Sequence, residues 1–189
     1  MSHFAAVLDA NVLYSYPLTS VLLELAEARL YRPIWSADIH QEWIRAVRST
    51  KPDFPPEKLE RCRAAMDEAL PDACVGGYRK LIPSLDLPDA GDKHVLAAAI
   101  RAKAQVIVTF NEKHFPDAAL AEFDLTVQHP DTFLRHLIDL APGVVRECVS
   151  AMLARFKNPP LTIEEFIAVL ERQSLPESAA ALRELFGSE

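Results

Sequence analysis

Two aspartates three residues apart, Asp89 and Asp92, stand in Leu87-Pro88-Asp89-Ala90-Gly91-Asp92-Lys93-His94, just before an apolar, alanine-rich run. Pro88 and Gly91 resist helix and the run after them favours it, so both acids fall where a helix begins. Taken alone, Asp89 reads as an N-cap and Asp92 as a carboxylate facing the positive end of the helix dipole. The sharper reading is that they hold a cation, and that reading needs other acids at the same point. Three polar residues are available. Asp9 ends the apolar run Phe4–Leu8, Glu42 lies beside the stripe Ile39, Trp43 and Val47, and Asn111 follows the β-branched run Gln105–Thr109. Together they form a set of hard oxygen donors suited to Mg²⁺ or Mn²⁺. Packed without a cation, such carboxylates repel one another and their pKa values rise. With one, they can support metal-assisted hydrolysis of a phosphodiester.

The elements that must position these groups alternate. Phe4–Leu8, Tyr31–Trp35, Gln105–Thr109 and Leu125–Gln128 read as strands. Helices are expected over Thr19–Ala28, Asp38–Ser49, Glu57–Leu70, from the Asp92 region to Lys103, and over Thr132–Leu140. Leu81-Ile82 reads as a short edge strand. Alternation of this kind implies an α/β fold: a three-layer parallel sheet with helices on both faces. Ligands of such sheets bind beyond the carboxyl ends of the strands. Asp9 and Asn111 sit at those ends, and helices starting at the same edge bring Glu42 and Asp92 toward it. Pro142-Gly143 marks a boundary, giving a body of 1–141 and a helical extension of 142–189. Within the extension, Thr162-Ile163-Glu164-Glu165 is a capping-box pattern, and Ser174-Leu175-Pro176-Glu177 repeats the signal. The apolar residues of the extension must dock on the body, on a second copy or on a partner.

Composition narrows the classes. The chain has 189 residues, half of them apolar and a quarter charged, with a formal net charge of -7. That balance argues against a broad basic face for nucleic acid, but not against a nuclease whose clustered acids are offset by bound cations. Three scattered cysteines form no C-x-x-C, which disfavours zinc or a disulfide framework and fits a reducing cytoplasm. No apolar run is long enough to span a bilayer. Met1-Ser2-His3-Phe4 lacks the basic start of a secretory signal. For His94 and His114 a structural role is favoured, because neither belongs to a metal-type His spacing. Arg45, Arg48 and Lys51 read as a solvated helix face that could track an RNA backbone.

Four segments together resemble the PIN domain family: Val7-Leu8-Asp9-Ala10-Asn11, Trp35 to Glu42, Asp89 to Ala99, and Ile107-Val108-Thr109-Phe110-Asn111. That family contains metal-dependent ribonucleases, notably VapC-type toxins of bacterial toxin–antitoxin pairs. The resemblance covers about Phe4 to Leu140. It implies Asp9, Glu42 and Asp92 as metal-binding acids, with Thr109 and Asn111 as polar supports at a fourth corner and Asp89 as an additional acid. Many members carry an aspartate near that corner. Here Asn111 stands there and brings no charge, which weakens the case for a second ion. The implied partners are an RNA substrate, an antitoxin protein and a second copy of the chain. Two other readings stay open. One is a non-catalytic PIN-like binding domain. The other is a phosphotransfer domain with Asp9 as phosphoryl acceptor, although Asn11 stands where the haloacid-dehalogenase pattern wants a second aspartate.

Overall fold

The structure is a computed structural model that describes residues 4–187; Met1–His3, in which the secretory-signal expectation lay, falls outside them. The apolar run at the start forms β1 (Ala5–Leu8), buried along its whole length. After it come a one-turn helix α1 (Ala10–Leu13) and helix α2 (Tyr16–Glu27). Pro17 sits in the first turn of α2, where the missing N–H costs nothing. Next are β2 (Arg32–Ile34), α3 (Ala37–Thr50) and α4 (Pro56–Ala69). Helix α5 (Lys93–Ala102) leads into β3 (Val106–Val108), and the short α6 (Asp117–Leu120) precedes β4 (Thr126–Gln128). The chain ends in α7 (Pro130–Leu140), α8 (Pro142–Arg155), α9 (Ile163–Arg172) and α10 (Pro176–Gly187).

The four strands make one parallel sheet in the order β2-β1-β3-β4. The α/β expectation therefore holds. From β1 the chain steps one way to β2, then crosses back over β1 to β3 and continues to β4. Parallel crossovers are right-handed, so reversing direction moves the connecting helices to the opposite face. The reversal also opens a crevice between the carboxyl ends of β1 and β3, the topological switch point at which open α/β sheets bind ligands.

The core fills both faces. Leu18, Val21, Leu22 and Leu25 of α2 are fully buried on one side. On α5, Ala97, Ala98 and Ala99 are fully buried, and their small side chains let the helix approach the sheet closely. Tyr31 is buried too and donates its hydroxyl to the Leu22 carbonyl at 3.0 Å.

Two local expectations change. Leu81 and Ile82 lie in a 3₁₀ stretch, Tyr78–Ser84, and not in an edge strand. Pro83 removes a donor there, and the edge beside Trp35 is already taken: Trp35 N–H donates to Ala73 O at 3.0 Å and Val75 N–H to Trp35 O at 2.9 Å. At the start of α9, Thr162 and Glu165 form the expected capping box. At α10, Ser174 is instead a left-handed residue (φ 63°), and the cap comes from another helix. The buried Asp131 of α7 accepts from Glu177 N–H at 3.0 Å and Ser178 N–H at 2.7 Å. Helix α10 is thus fastened to α7 as well as packed against α9, and α8 packs on α2.

Candidate metal centre

Asp9 leaves β1 as the N-cap of α1 and is 4% exposed. Its backbone N–H extends the sheet by donating to Val108 O at 3.1 Å. One carboxylate oxygen accepts from Ala10 N–H at 2.7 Å. The other accepts from the Asn11 amide at 2.8 Å and the Thr109 hydroxyl at 2.7 Å. Thr109, fully buried at the end of β3, also accepts from the Asn11 amide at 2.9 Å and from Asn111 N–H at 3.1 Å. The Asn11 oxygen closes the network by accepting from Phe110 N–H at 3.2 Å. Asn11 therefore laces the two strand ends together, a role the sequence reading did not give it. Its place two residues after Asp9 was the available signal.

Glu42 comes from the second turn of α3. The helix starts at Ser36, whose hydroxyl accepts from Ile39 N–H at 3.2 Å. Ile39, Trp43 and Val47 face the core, which turns Glu42 and Ala46 to the edge of that stripe. Asp92 occupies the N-cap position of α5 but makes no capping bond. Asp89 caps the preceding 3₁₀ turn instead, accepting from Gly91 N–H at 2.8 Å. A Cβ at Gly91 would stand 3.1 Å from that carboxylate, so glycine keeps the turn tight. The Asp92 carboxylate is thereby left out of the capping.

Asp9, Glu42, Asp92 and Asn111 line one open cleft of about 360 Å³, together with Ala10, Asn11, Tyr14 and Ala46. The structure thus brings the four sequence-predicted corners together. Thr109 lies behind Asp9 as its hydroxyl donor. Asp89 does not line the cleft, yet its carboxylate, that of Asp92 and a ring nitrogen of His114 lie within 4.8 Å of one another. Among the described residues this is the one set of three such side chains so close.

Both histidines contact the acids, which the sequence reading missed. His94 Nε2 lies 2.9 Å from Glu42 Oε1, and His114 Nδ1 lies 2.7 Å from Asp92 Oδ2. His94 Nδ1 is buried without a hydrogen-bond partner. The only available signal was proximity: His94 is two residues past Asp92, and His114 three past Asn111. Arg45, Arg48 and Lys51 are exposed, as expected of a solvated face, and Lys51 stands over the Tyr14 ring at 5.9 Å.

The electrostatics are those of crowded acids. Burial pushes the Asp9 carboxyl above its ordinary 3.8; hydrogen bonds from Thr109 and Ala10 oppose this, and the charges of Asp92 and Glu42 add to it. Burial likewise raises Asp92, with Asp89 and Glu42 adding to it and His114 opposing. Burial alone would lower His94 and is its largest influence. Glu42, followed by Asp38 and Asp9, outweighs it and holds the imidazole above 6.5. Carboxylates that raise one another's pKa favour a bound cation. The donors are hard oxygens, and each carboxylate retains lone pairs beyond its hydrogen bonds, so they suit a divalent ion by type, although Asp9, Glu42 and Asp92 line the cleft without all three lying within 4.8 Å of one another.

A family model described as "PIN domain" matches residues 5–113, and one described as "VapC50 C-terminal domain" matches residues 130–184. A protein of Mycobacterium tuberculosis (strain ATCC 25618 / H37Rv) named "Putative ribonuclease VapC50" is 40% identical over 112 residues, which is 59% of this chain and 65% of that protein. The match thus covers just under two thirds of the relative's length. No solved structure matches. The first family model spans more than half of the chain and runs through every segment that carries the four corners of the cleft, so the chain belongs to the PIN domain family.

Proposed function

We propose that this protein is a divalent-metal-dependent endoribonuclease, the toxin of a toxin–antitoxin module. The observation that carries the reading is the meeting of Asp9, Glu42, Asp92 and Asn111 in one cleft at the switch point of a PIN-family sheet. Asp9, Glu42 and Asp92 would hold Mg²⁺ or Mn²⁺. When bound, the ion supplies Lewis acidity, lowering the pKa of water and offsetting charge on the phosphodiester. The chain's own groups do the positioning. Thr109 and Asn11 fix the orientation of Asp9, and His94 and His114 contact Glu42 and Asp92. RNA is the substrate class the relative's printed name supports.

The phosphotransfer reading has less behind it. Asp9 is almost fully buried and both its oxygens already accept hydrogen bonds, which ill suits a nucleophile. Residues 1–141 serve as the nuclease unit and 142–189 as a helical extension, for contact with an antitoxin or a second copy. The extension is tied to the body through α7 and α2. Among the described residues no helix is long and apolar enough to cross a membrane; the proposed RNA substrate and toxin role put the site of action in the cytoplasm, as part of the same proposal. The test is cleavage of a defined RNA with Mg²⁺ or Mn²⁺. Asp92→Asn should reduce kcat at least a hundredfold and relieve growth arrest on expression. Undiminished cleavage by a folded Asp92→Asn protein refutes the proposal.

A further inference from the structure

One contact at the centre goes beyond the acids. The His114–Asp92 pair is positioned by backbone: His114 N–H donates to Asn111 O at 2.9 Å, in the turn Glu112–His114, and the next residue, Phe115, is buried at 1% exposure. The imidazole is a quarter exposed, so an ion can reach it. Adjacent ligands of an octahedral ion bound at about 2.1 Å stand roughly 3 Å apart, close to the observed 2.7 Å between His114 Nδ1 and Asp92 Oδ2. An ionised carboxylate only accepts, so His114 Nδ1 carries the hydrogen between them, and an ion bound by both atoms would displace that hydrogen. The Asp89 carboxylate lies within the same 4.8 Å set. Asp92 also lines the main cleft, so the set is continuous with the proposed centre.

We propose that His114 is a direct nitrogen ligand of the centre and makes it select Mn²⁺ over Mg²⁺. The inference rests on the metal-dependent reading above. Its chemical basis is the mixed donor set. Mg²⁺ demands hard oxygen ligands and gives up its waters reluctantly, whereas imidazole nitrogen suits first-row transition ions. Mn²⁺ is the member of that series that also accepts a carboxylate majority. The imidazole stands against Asp92, the acid shared with the cleft, and so offers nitrogen where the uncharged Asn111 brings no further carboxylate.

The test uses the full chain and the two metals alone, without RNA. Isothermal titration gives Mg²⁺ and Mn²⁺ affinities, and pulsed electron paramagnetic resonance of bound Mn²⁺ reads coupling to a ligand ¹⁴N nucleus. The wild-type protein should bind Mn²⁺ more tightly and show nitrogen coupling. His114→Ala should lose that coupling and about tenfold or more in Mn²⁺ affinity, with a smaller loss for Mg²⁺. His114→Asp should bring the two affinities together while keeping the fold, judged by circular dichroism. Unchanged coupling and an unchanged Mn²⁺/Mg²⁺ ratio in His114→Ala, while the wild type binds both ions, overturn the role of His114 and leave the acid centre standing. Failure of the wild type to bind either ion overturns the metal centre itself, and this inference with it.

Discussion

At the scale of single residues, the site depends on groups that hold other groups. Asp9 alone is a buried carboxylate, costly to keep charged. Three donors, from Ala10, Asn11 and Thr109, make its burial tolerable and aim it. Thr109 carries the heaviest duty, because its one hydroxyl serves Asp9, Asn11 and Asn111 together. Thr109→Val keeps the shape and removes all three bonds. It should cost about 1–3 kcal/mol of stability in urea titration and about tenfold or more in metal affinity by calorimetry. A metal affinity equal to the wild type would mean that Thr109 does not orient Asp9. Asn11 and Thr109 are ordinary residues in the sequence, and their partnership spans 98 positions. No local pattern announces it.

Among the elements, caps and ties decide how the layers stay in place. Asp131 is the cap of a helix 46 residues further on, and it is buried. Asp131→Ala leaves two N–H groups at the start of α10 without acceptors and should cost about 1–3 kcal/mol, with hydrogen exchange rising first in α10. Uniform protection across α10 in the variant would contradict the latch. A second tie joins α3 to the 3₁₀ stretch Tyr78–Ser84. Asp38 there accepts from Arg79 and from the Tyr78 hydroxyl. The Arg79 hydrogen bond, with Tyr78 and the Arg79 charge behind it, holds the Asp38 carboxyl below its ordinary 3.8 although burial opposes the shift. A depressed folded-state pKa means that the unfolded chain binds the proton first. The tie therefore stabilises the fold above the unfolded value of 3.8 and is lost as pH falls through the lower folded value. Asp38→Asn should lower Tm at pH 6 and match the wild type once pH drops below both values. An equal gap in Tm at both pH values would contradict this assignment. The strands and most helices were legible from periodicity. The 3₁₀ stretch and the α10 cap were not, because both depend on a neighbour already occupying the hydrogen-bonding groups.

For the molecule as a whole, charge and stability are coupled through the cleft. The chain carries a formal net charge of -7, and part of its negative charge is gathered at one sheet edge. A cation bound only by the folded state stabilises it by mass action, about 2.7 kcal/mol at a hundredfold excess over Kd. For a chain of this size that is a rise of roughly 5–10 °C in Tm. Differential scanning calorimetry should show the rise with Mn²⁺, and Asp92→Asn should erase it. The C-terminal helices enter this balance as well, because α8 packs on α2 and α10 on α7. They belong to the body's packing and are more than an appendage.

The sequence by itself determined the alternation of strands and helices, the strand-end places of Asp9 and Asn111, and the unusual pair Asp89 and Asp92 at a helix start. These follow from hydrophobic period and helix-breaking residues, which act over a few positions. Only the tertiary structure decided that Asp89 does the capping while Asp92 makes no cap, that Asn11 and Thr109 hold Asp9, and that His94 and His114 face Glu42 and Asp92. Those outcomes are contacts between segments far apart in the chain, set by strand order and crossover direction, and a side chain's partner across such a distance leaves no mark on its own neighbours in sequence.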